Sequence, residues 1–172
     1  MELSEVLSLR HAQRAYTGAK VSEEQLDAIL QAGELAPVAL GKFEHYHLTV
    51  IEDPEILSAI EAATATLFHR HGGKMLYGAP TFVLVSAQGE QNADFSSAAI
   101  VAHNLALKAV DLNVGFCYIW GAVAAINQTP SVIAKLQLPD GFKPVCGVTL
   151  GQIETPYVQK ATDPKRIGIT RL

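Results

Sequence analysis

The chain has 172 residues, of which 49% are apolar and 17% are charged, and its formal net charge is −4 at pH 7. This acidic balance argues against general nucleic-acid binding, which requires a basic face. The length suits a single domain, residues 1–172. The charged fraction lies below the usual value of about a quarter, which predicts that part of the surface is a subunit interface.

The first residues carry neither the basic region nor the apolar run of a signal peptide, because the chain begins on an amphipathic segment. Residues 112–134 contain no charged side chain and are long enough to span a bilayer. Asn113, Gly115 and residues 127–130 interrupt this stretch, which therefore indicates a protein core. We expect no membrane association and a cytoplasmic location, in which Cys117 and Cys146 are reduced thiols.

The first half of the chain predicts three helices and one strand. Residues 2–9 form a short helix, and a capping box over residues 22–25 begins a second helix that ends near Leu35. A β-rich stretch over residues 46–52 is closed by Asp53-Pro54. The amphipathic helix that follows ends at Gly72-Gly73.

The second half predicts buried strands around one long helix. Residues 80–87 are a continuous apolar strand, and residues 94–113 are helical and apolar around most of the circumference, so this helix is central or packs on a partner chain. The remaining expected elements are strands over 114–119 and 144–151, a helix from Thr129-Pro130 to about Leu138, and a polar extended arm over 152–172. This order predicts an α+β fold with a mixed central sheet flanked by helices.

The common nucleotide loops and the hydrolase nucleophile motif are absent from the sequence. Positive charge is instead concentrated in "RHAQRAY", residues 10–16 of an acidic chain. The forked guanidinium groups of Arg10 and Arg14 suit the oxygens of a phosphate. A solvated helix end is the alternative interpretation of the same pair.

Several segments occur in an order that, taken together, resembles the nitroreductase family of FMN-dependent oxidoreductases. They are "RHAQRAY", "AGELAP" (32–37), "KMLYGAPTFVLVSA" (74–87), "DFSSAAIVAHNLALKAVDLNVGFCYIW" (94–120), "FKPVCGVTLG" (142–151) and a late "DPKR". The resemblance covers nearly the whole chain. It implies a nitroreductase-like fold, non-covalent FMN, NAD(P)H as co-substrate and a homodimer whose C-terminal arm crosses to the partner subunit.

The resemblance also implies how the FMN phosphate is held. Arg10 and Arg14 would bind it, with further contacts from His11 and Ala12. Of the late pair Lys165-Arg166, the arginine matches a basic residue that lies near the phosphate in the family.

The flavin ring would be contacted by three other parts of the chain. Lys74 matches a lysine at the polar edge of the ring, where a cation favours the negative charge of the reduced flavin; an ordinary solvated loop lysine is the alternative. Ile119, Trp120 and Gly121 match a stretch whose backbone N–H points at flavin N5. Pro37, Val38 and Ala39 match a loop that covers the ring from the partner subunit.

One loop departs from the family pattern. Where the family often has "APSxxNxQPWxF", this chain has "APVALGKFEHYHL". Gly41 replaces the asparagine, and Phe43-Glu44-His45 replace Gln-Pro-Trp. We expect Lys42 to take over part of the asparagine's contacts. Because the loop borders the substrate space, the resemblance does not carry over a substrate.

Three functions remain open on the sequence. The first is an FMN oxidoreductase that takes hydride from NAD(P)H and reduces a nitro-aromatic, a quinone or a similar small acceptor by a ping-pong mechanism, with no catalytic residue beyond the flavin. The second is a flavin-binding carrier or sensor with little turnover. The third is a metal- or ligand-binding module without flavin. We expect no metal site, because the histidine pairs 45/47 and 69/71 have no carboxylate or cysteine at a ligand spacing.

Overall fold

The computed structural model describes residues 1–70, 72–159 and 167–172. Their helices are α1 (Leu3–Leu9), α2 (Glu23–Glu34), α3 (Pro54–Leu67), α4 (Asn92–Asp111), α5 (Gly121–Asn127) and α6 (Pro130–Lys135). Their strands are β1 (Tyr46–Ile51), β2 (Thr81–Ala87), β3 (Gly115–Tyr118) and β4 (Lys143–Gly151). None of the helices described here is both long enough and apolar enough to span a bilayer.

The strands form one sheet in the order β1-β2-β4-β3, and each neighbouring pair is antiparallel. The α+β class is confirmed, but the prediction of a mixed sheet is wrong for the described strands. A helix between two strands favours a parallel crossover. Here α3 and the segment after it bring the chain back to the edge of the sheet at which β1 ends. Strand β2 therefore begins beside the end of β1, and Ile51 pairs with Phe82.

Local capping signals predicted the starts of α2 and α3. The Ser22 side chain accepts a hydrogen bond from the Gln25 N–H, and the Asp53 carboxylate accepts from the N–H groups of Glu55 and Ile56. Helix α4 begins earlier than predicted, because Asp94 turns back to accept from the Gln91 N–H.

Two helices near the end of the chain differ from the prediction. Helix α5 was missed, because it begins at a glycine and its N-cap, Trp120, makes no side-chain cap. Thr129 does not cap α6 with its side chain; its hydroxyl donates to the Ala125 carbonyl at 2.8 Å. Helix α6 ends at Lys135, short of the predicted Leu138.

The core lies on both faces of the sheet. Every residue of β2 is buried, as predicted for a strand covered on both sides. Helices α1, α2 and α4 pack around Val85, Leu105 and Val148 on one face, and α3, α5 and α6 pack around Phe82 and Ile126 on the other. The two layers leave the β3–α5 junction open at the edge of the sheet.

The segment after α1 is held against β3 and β4. The Gln13 N–H donates to the Phe116 carbonyl at 2.7 Å, and the Tyr16 hydroxyl lies 2.8 Å from Thr149 Oγ1. The Tyr16 ring occupies the space beside two facing glycines: a Cβ on Gly115 would lie 3.0 Å from it, and one on Gly151 2.9 Å. This packing fixes where residues 10–14 run.

Gly147, in the middle of the sheet, gives a test of how closely the core packs around Phe82. A Cβ on Gly147 would lie 2.5 Å from Phe82 Cζ and 3.0 Å from the Val83 carbonyl oxygen. We expect Gly147→Ala to lower the free energy of unfolding by about 1–3 kcal/mol. The melting temperature should fall by about 2–4 °C for each kcal/mol lost. Gly73→Ala is the control, because its Cβ would meet only Met75 Sδ at 3.7 Å. Equal melting temperatures for the two variants in a thermal scan would contradict the packing.

Candidate functional site

Four partly exposed aromatic rings surround a cavity of about 280 Å³ at the edge of the sheet. The exposed fractions are 65% for Trp120, 42% for Tyr118, 41% for Phe68 and 37% for Tyr77. The full lining is Thr64, Phe68, Arg70, Met75, Tyr77, Tyr118, Ile119, Trp120, Gly121 and Ala122. Large apolar side chains left open together in this way mark a ligand or partner site.

The C-terminus of α3 places Phe68 and Arg70 in this wall. The Arg70 N–H donates to the Ala65 carbonyl at 2.9 Å, and the His69 N–H donates to the Thr66 carbonyl at 3.3 Å. His69 has a φ of +52°, so the helix ends in a Schellman turn with histidine at the position that usually holds glycine. The turn fixes the backbone on both sides of His69.

A second turn presents Tyr77 and Lys74. The Tyr77 N–H donates to the Lys74 carbonyl at 3.0 Å, and Tyr77 and Gly78 have φ values of +58° and +73°. The Lys74 side chain lies over Gly78, since a Cβ there would be 3.3 Å from Nζ. Glu61 of α3 anchors the turn by accepting from the Leu76 N–H at 3.1 Å.

Arg14, on the N-terminal segment, contacts one of the residues that line this cavity, Tyr77. Its guanidinium carbon lies 5.7 Å from the centre of the Tyr77 ring, which is within cation–π distance. The neighbouring Tyr77 side chain, and after it Cys117, raise the pKa of Arg14. Arg14 therefore stays a full cation beside the aromatic wall.

Arg10 lies near α4, because its charge acts on His103. Residues 10–16 form no helix, so the two arginines do not share a helix face. Burial first and the Arg10 charge second lower the pKa of His103 on α4. Among the described residues, no carboxylate forms an ion pair with Arg10, Arg14, Arg70 or Lys74.

His11 and Ala12 contribute to packing in this chain. His11 Nδ1 lies 2.8 Å from the Leu9 carbonyl oxygen, and its ring meets Tyr157 edge-on at 5.1 Å. The Tyr157 hydroxyl donates to the Val114 carbonyl at 3.1 Å and accepts from the Phe116 N–H at 3.2 Å. Ala12 packs against the core on the α3 face of the sheet. These contacts tie the first residues of the predicted arm to the segment that carries the arginines.

The stretch 119–121 forms the floor of the cavity. The Ile119 N–H already donates to the Gly147 carbonyl at 2.9 Å. The Gly121 N–H lies in the first turn of α5, where no acceptor within the helix is available. Of the backbone donors that the sequence singled out, Gly121 is therefore better placed than Ile119 to serve a ligand.

The loop that contains Pro37, Val38, Ala39 and Gly41 lies elsewhere in the chain. The Ala39 N–H donates to Ser97 Oγ on α4 at 3.0 Å, and Leu40 is 90% exposed with a φ of +57°. Val38 lines a cavity of about 540 Å³, and Ala39 lines another of about 850 Å³ with Lys42. Neither cavity includes Arg14, Lys74 or Trp120, so one chain does not bring the loop and the aromatic cavity together.

Lys165 and Arg166 lie outside the described residues. The site residues that the sequence did not single out are Phe68, Arg70, Tyr77 and Tyr118. Tyr77 belongs to the quoted "KMLYGAP" motif, and Arg70 lies between His69 and His71, a histidine pair to which the sequence assigns no function. The described residues hold no group of three metal-ligating side chains.

Both thiols are buried and poorly ionised. Burial raises the pKa of Cys117, although the neighbouring Arg14 acts in the opposite direction. Burial raises the pKa of Cys146 to about 11. Neither cysteine is poised as a nucleophile, because the thiolate is the reactive form.

Known proteins are similar to this chain in sequence and in fold. A protein of Methanothermobacter thermautotrophicus with the provisional name NADH dehydrogenase/NAD(P)H nitroreductase is 27% identical over 177 residues, which covers 99% of this chain and 88% of that protein. A nitroreductase of Bacteroides fragilis solved with bound FMN is 26% identical, with a TM-score of 0.84 and coverage of 99% of this chain and 100% of that one.

A nitroreductase of Desulfitobacterium hafniense, also solved with bound FMN, shares the fold with a TM-score of 0.86, covering 99% of this chain and 100% of that one at 20% identity. The model of the nitroreductase family matches residues 7–152. This range includes residues 10–16, which we call the arginine segment, the cavity lined by Tyr77 and Trp120, which we call the aromatic cavity, and the whole sheet. The chain therefore belongs to the nitroreductase family.

Proposed function

We propose that this chain is an FMN-dependent oxidoreductase that takes a hydride from NAD(P)H and reduces a small acceptor, such as a nitro-aromatic or a quinone, by a ping-pong mechanism. The observation that carries the proposal is that Tyr77 and residues 119–121 line one aromatic cavity, while Arg14, from a third segment, lies against the Tyr77 ring. The FMN in two related structures supports the choice of cofactor.

The residues present fit a flavin mononucleotide. Arg10 and Arg14 are cations without a carboxylate partner among the described residues, and such guanidinium groups bind phosphate oxygens by charge-assisted hydrogen bonds. The open rings of Tyr77 and Trp120 provide surfaces for a planar ring system. FAD would need room for a second phosphate and an adenosine, for which the sequence offers no glycine-rich loop.

The protein's own contribution is position and charge. When bound, FMN supplies the hydride chemistry by accepting two electrons from NAD(P)H and passing them to the acceptor. Lys74, held over Gly78 by the turn, supplies positive charge at the polar edge of the ring. The Gly121 N–H supplies a directed donor. The buried thiols and the histidines have no part in this chemistry, so water can provide the protons in an open site.

The functional unit that we propose is a homodimer, because one chain offers an incomplete site. A cavity of about 280 Å³ lies below the range of about 300–1,000 Å³ that is typical of sites enclosing a small-molecule or cofactor ligand. In the proposed dimer, the loop over residues 37–41 of one chain covers the ring bound by the other, and residues 152–172 cross to the partner.

Apolar surface in the single chain supports this assembly. Helix α4 exposes Phe95 (45%) and Ile100 (41%), and the loop whose Ala39 N–H bonds to Ser97 of α4 exposes Leu40 (90%) and Phe43 (57%). Exposed apolar side chains concentrated in one region mark a protein–protein interface.

The cofactor is the first thing to test. We expect the purified protein to be yellow and to release FMN on heating, and we expect NAD(P)H to bleach the flavin absorbance in the absence of air and to be consumed when a quinone is added. Release of FAD, or a colourless protein that binds neither flavin, would contradict the proposed cofactor. Flavin that is bound but not reduced by NADH or NADPH would favour a carrier without turnover.

The phosphate contacts are tested by comparing FMN with riboflavin. Losing one charge-assisted hydrogen bond costs about 1.5–3 kcal/mol, so Arg14→Ala should raise the dissociation constant of FMN by roughly one to two powers of ten. Riboflavin, which lacks the phosphate, should be affected far less. Lys135→Ala, at the exposed end of α6, is the matched control for loss of a positive charge. An equal loss for both flavins would show that Arg14 supports the fold instead.

Variants of Lys74 and His103 distinguish stabilisation of the reduced flavin by a nearby charge from transfer of a proton by a side chain. Lys74→Ala should lower the reduction potential of the bound flavin and slow its reduction by NAD(P)H, because a cation near the ring favours the reduced, negatively charged state. His103→Gln should leave stopped-flow reduction unchanged, because no proton from this histidine is needed. Loss of hydride transfer in His103→Gln with FMN still bound would contradict the mechanism.

A further inference from the structure

We propose that Tyr77 is a positioning residue for Arg14: its ring holds the guanidinium in place, so that the positive charge is directed at the phosphate of the cofactor without being neutralised. The inference rests on the proposed function and adds a residue to it. Tyr77 does not bind the phosphate itself and acts on it only through Arg14.

The contact between the two side chains connects the arginine segment to the aromatic cavity. Arg14 is exposed, and its guanidinium carbon lies 5.7 Å from the centre of the Tyr77 ring. Tyr77 is one of the residues that line the cavity, whereas Arg14 is not. Tyr77 is also the principal cause that raises the pKa of Arg14, so the contact favours the charged form of the arginine.

An aromatic ring orders an arginine without consuming its charge. The arginine side chain is long and flexible, so a guanidinium that is already in place binds an anion more tightly than one that must first be ordered. A carboxylate would order Arg14 but would compete with phosphate for the same N–H groups. A ring face attracts the cation and is not an ion-pair partner for these N–H groups. Within the described part of the chain, no carboxylate forms an ion pair with Arg14.

The backbone of Tyr77 is a second and independent support. Its φ of +58° lies in the left-handed region, which a bulky residue rarely adopts. The turn is fixed by the 3.0 Å hydrogen bond from the Tyr77 N–H to the Lys74 carbonyl. A glycine would form the same turn without strain, so the turn alone does not explain a tyrosine at this position. Strained residues of this kind cluster at functional sites, and here the strained residue presents its ring to Arg14.

The test separates the ring of Tyr77 from the turn that carries it. Tyr77→Phe keeps the ring, and Tyr77→Gly removes the ring while suiting the positive φ, so this variant introduces no backbone strain. The measured quantity is the dissociation constant of FMN divided by that of riboflavin, both from flavin fluorescence. Riboflavin has the same ring system and no phosphate, so the ratio cancels any contact between Tyr77 and the flavin ring.

A cation–π contact at an exposed site corresponds to a roughly two- to fivefold change in a dissociation constant. We expect Tyr77→Gly to raise the ratio by this factor and Tyr77→Phe to leave it unchanged. In the Arg14→Ala background, Tyr77→Gly should no longer alter the ratio, because there is no guanidinium to position. An unchanged ratio in Tyr77→Gly, or a rise of the same size with and without Arg14, would overturn the proposal.

Nuclear magnetic resonance of the full chain detects the contact without flavin. The ring current of Tyr77 should shift the side-chain δ protons of Arg14 upfield, and the shift should be lost in Tyr77→Gly and kept in Tyr77→Phe. Arg14→Lys identifies the signals. An Arg14 signal that is the same in the unchanged protein and in Tyr77→Gly would overturn the proposal even if FMN binds. Failure of the proposed function appears separately, as an unchanged protein that binds no FMN, and the spectra still decide whether Tyr77 positions Arg14.

Discussion

The hydrogen bond from the Gln13 N–H to the Phe116 carbonyl, with the Tyr16 ring seated beside it, is the constraint on which the site depends. It fixes an otherwise irregular segment along β3, so that Arg14 lies against Tyr77. The facing glycines Gly115 and Gly151 make this possible, because a side chain at either position would take the space of Tyr16. The sheet therefore fixes the position of the arginine segment, and with it the position of Arg14 in the site.

The cations of the site also contrast with the net charge of the chain. The chain is acidic as a whole, yet Arg10, Arg14, Arg70 and Lys74 have no described carboxylate partner. Arg70 lines the aromatic cavity and Arg14 lies against its Tyr77 wall, and cations without counter-charges favour anionic ligands. The phosphate of the proposed FMN is an anion that fits such cations.

The sequence predicted the parts of the structure that local chemistry determines. Capping by Ser22 and Asp53 and the apolar run of β2 need no knowledge of distant residues. The segment order led to the family that the comparisons show. Helix α5 was missed because its start carries no cap, and the antiparallel sheet was missed because the return of the chain after α3 leaves no local signature.

Site prediction was limited for a similar reason. Arg14, Lys74 and residues 119–121 could be placed by matching motifs to the family. The cavity wall from Phe68 and Arg70 depends on a helix end at His69, a residue that rarely adopts a positive φ. The roles of His11 and Ala12 depend on contacts with Tyr157 and the core, which are far away in sequence. No single stretch of the sequence indicates long-range packing of this kind.

The central claim is that each site combines the arginine segment and aromatic cavity of one chain with the loop over residues 37–41 of another. It is tested most directly by mixing two variants, Arg14→Ala and Leu40→Glu, each of which should bind little FMN alone. Leu40 is 90% exposed in one chain, so its substitution should not disturb the fold. After co-refolding, half of the dimers should be mixed and carry one intact site of two, so that FMN content after gel filtration recovers to about a quarter of the unchanged protein. An FMN content no higher than the average of the two variants would contradict a site shared between chains.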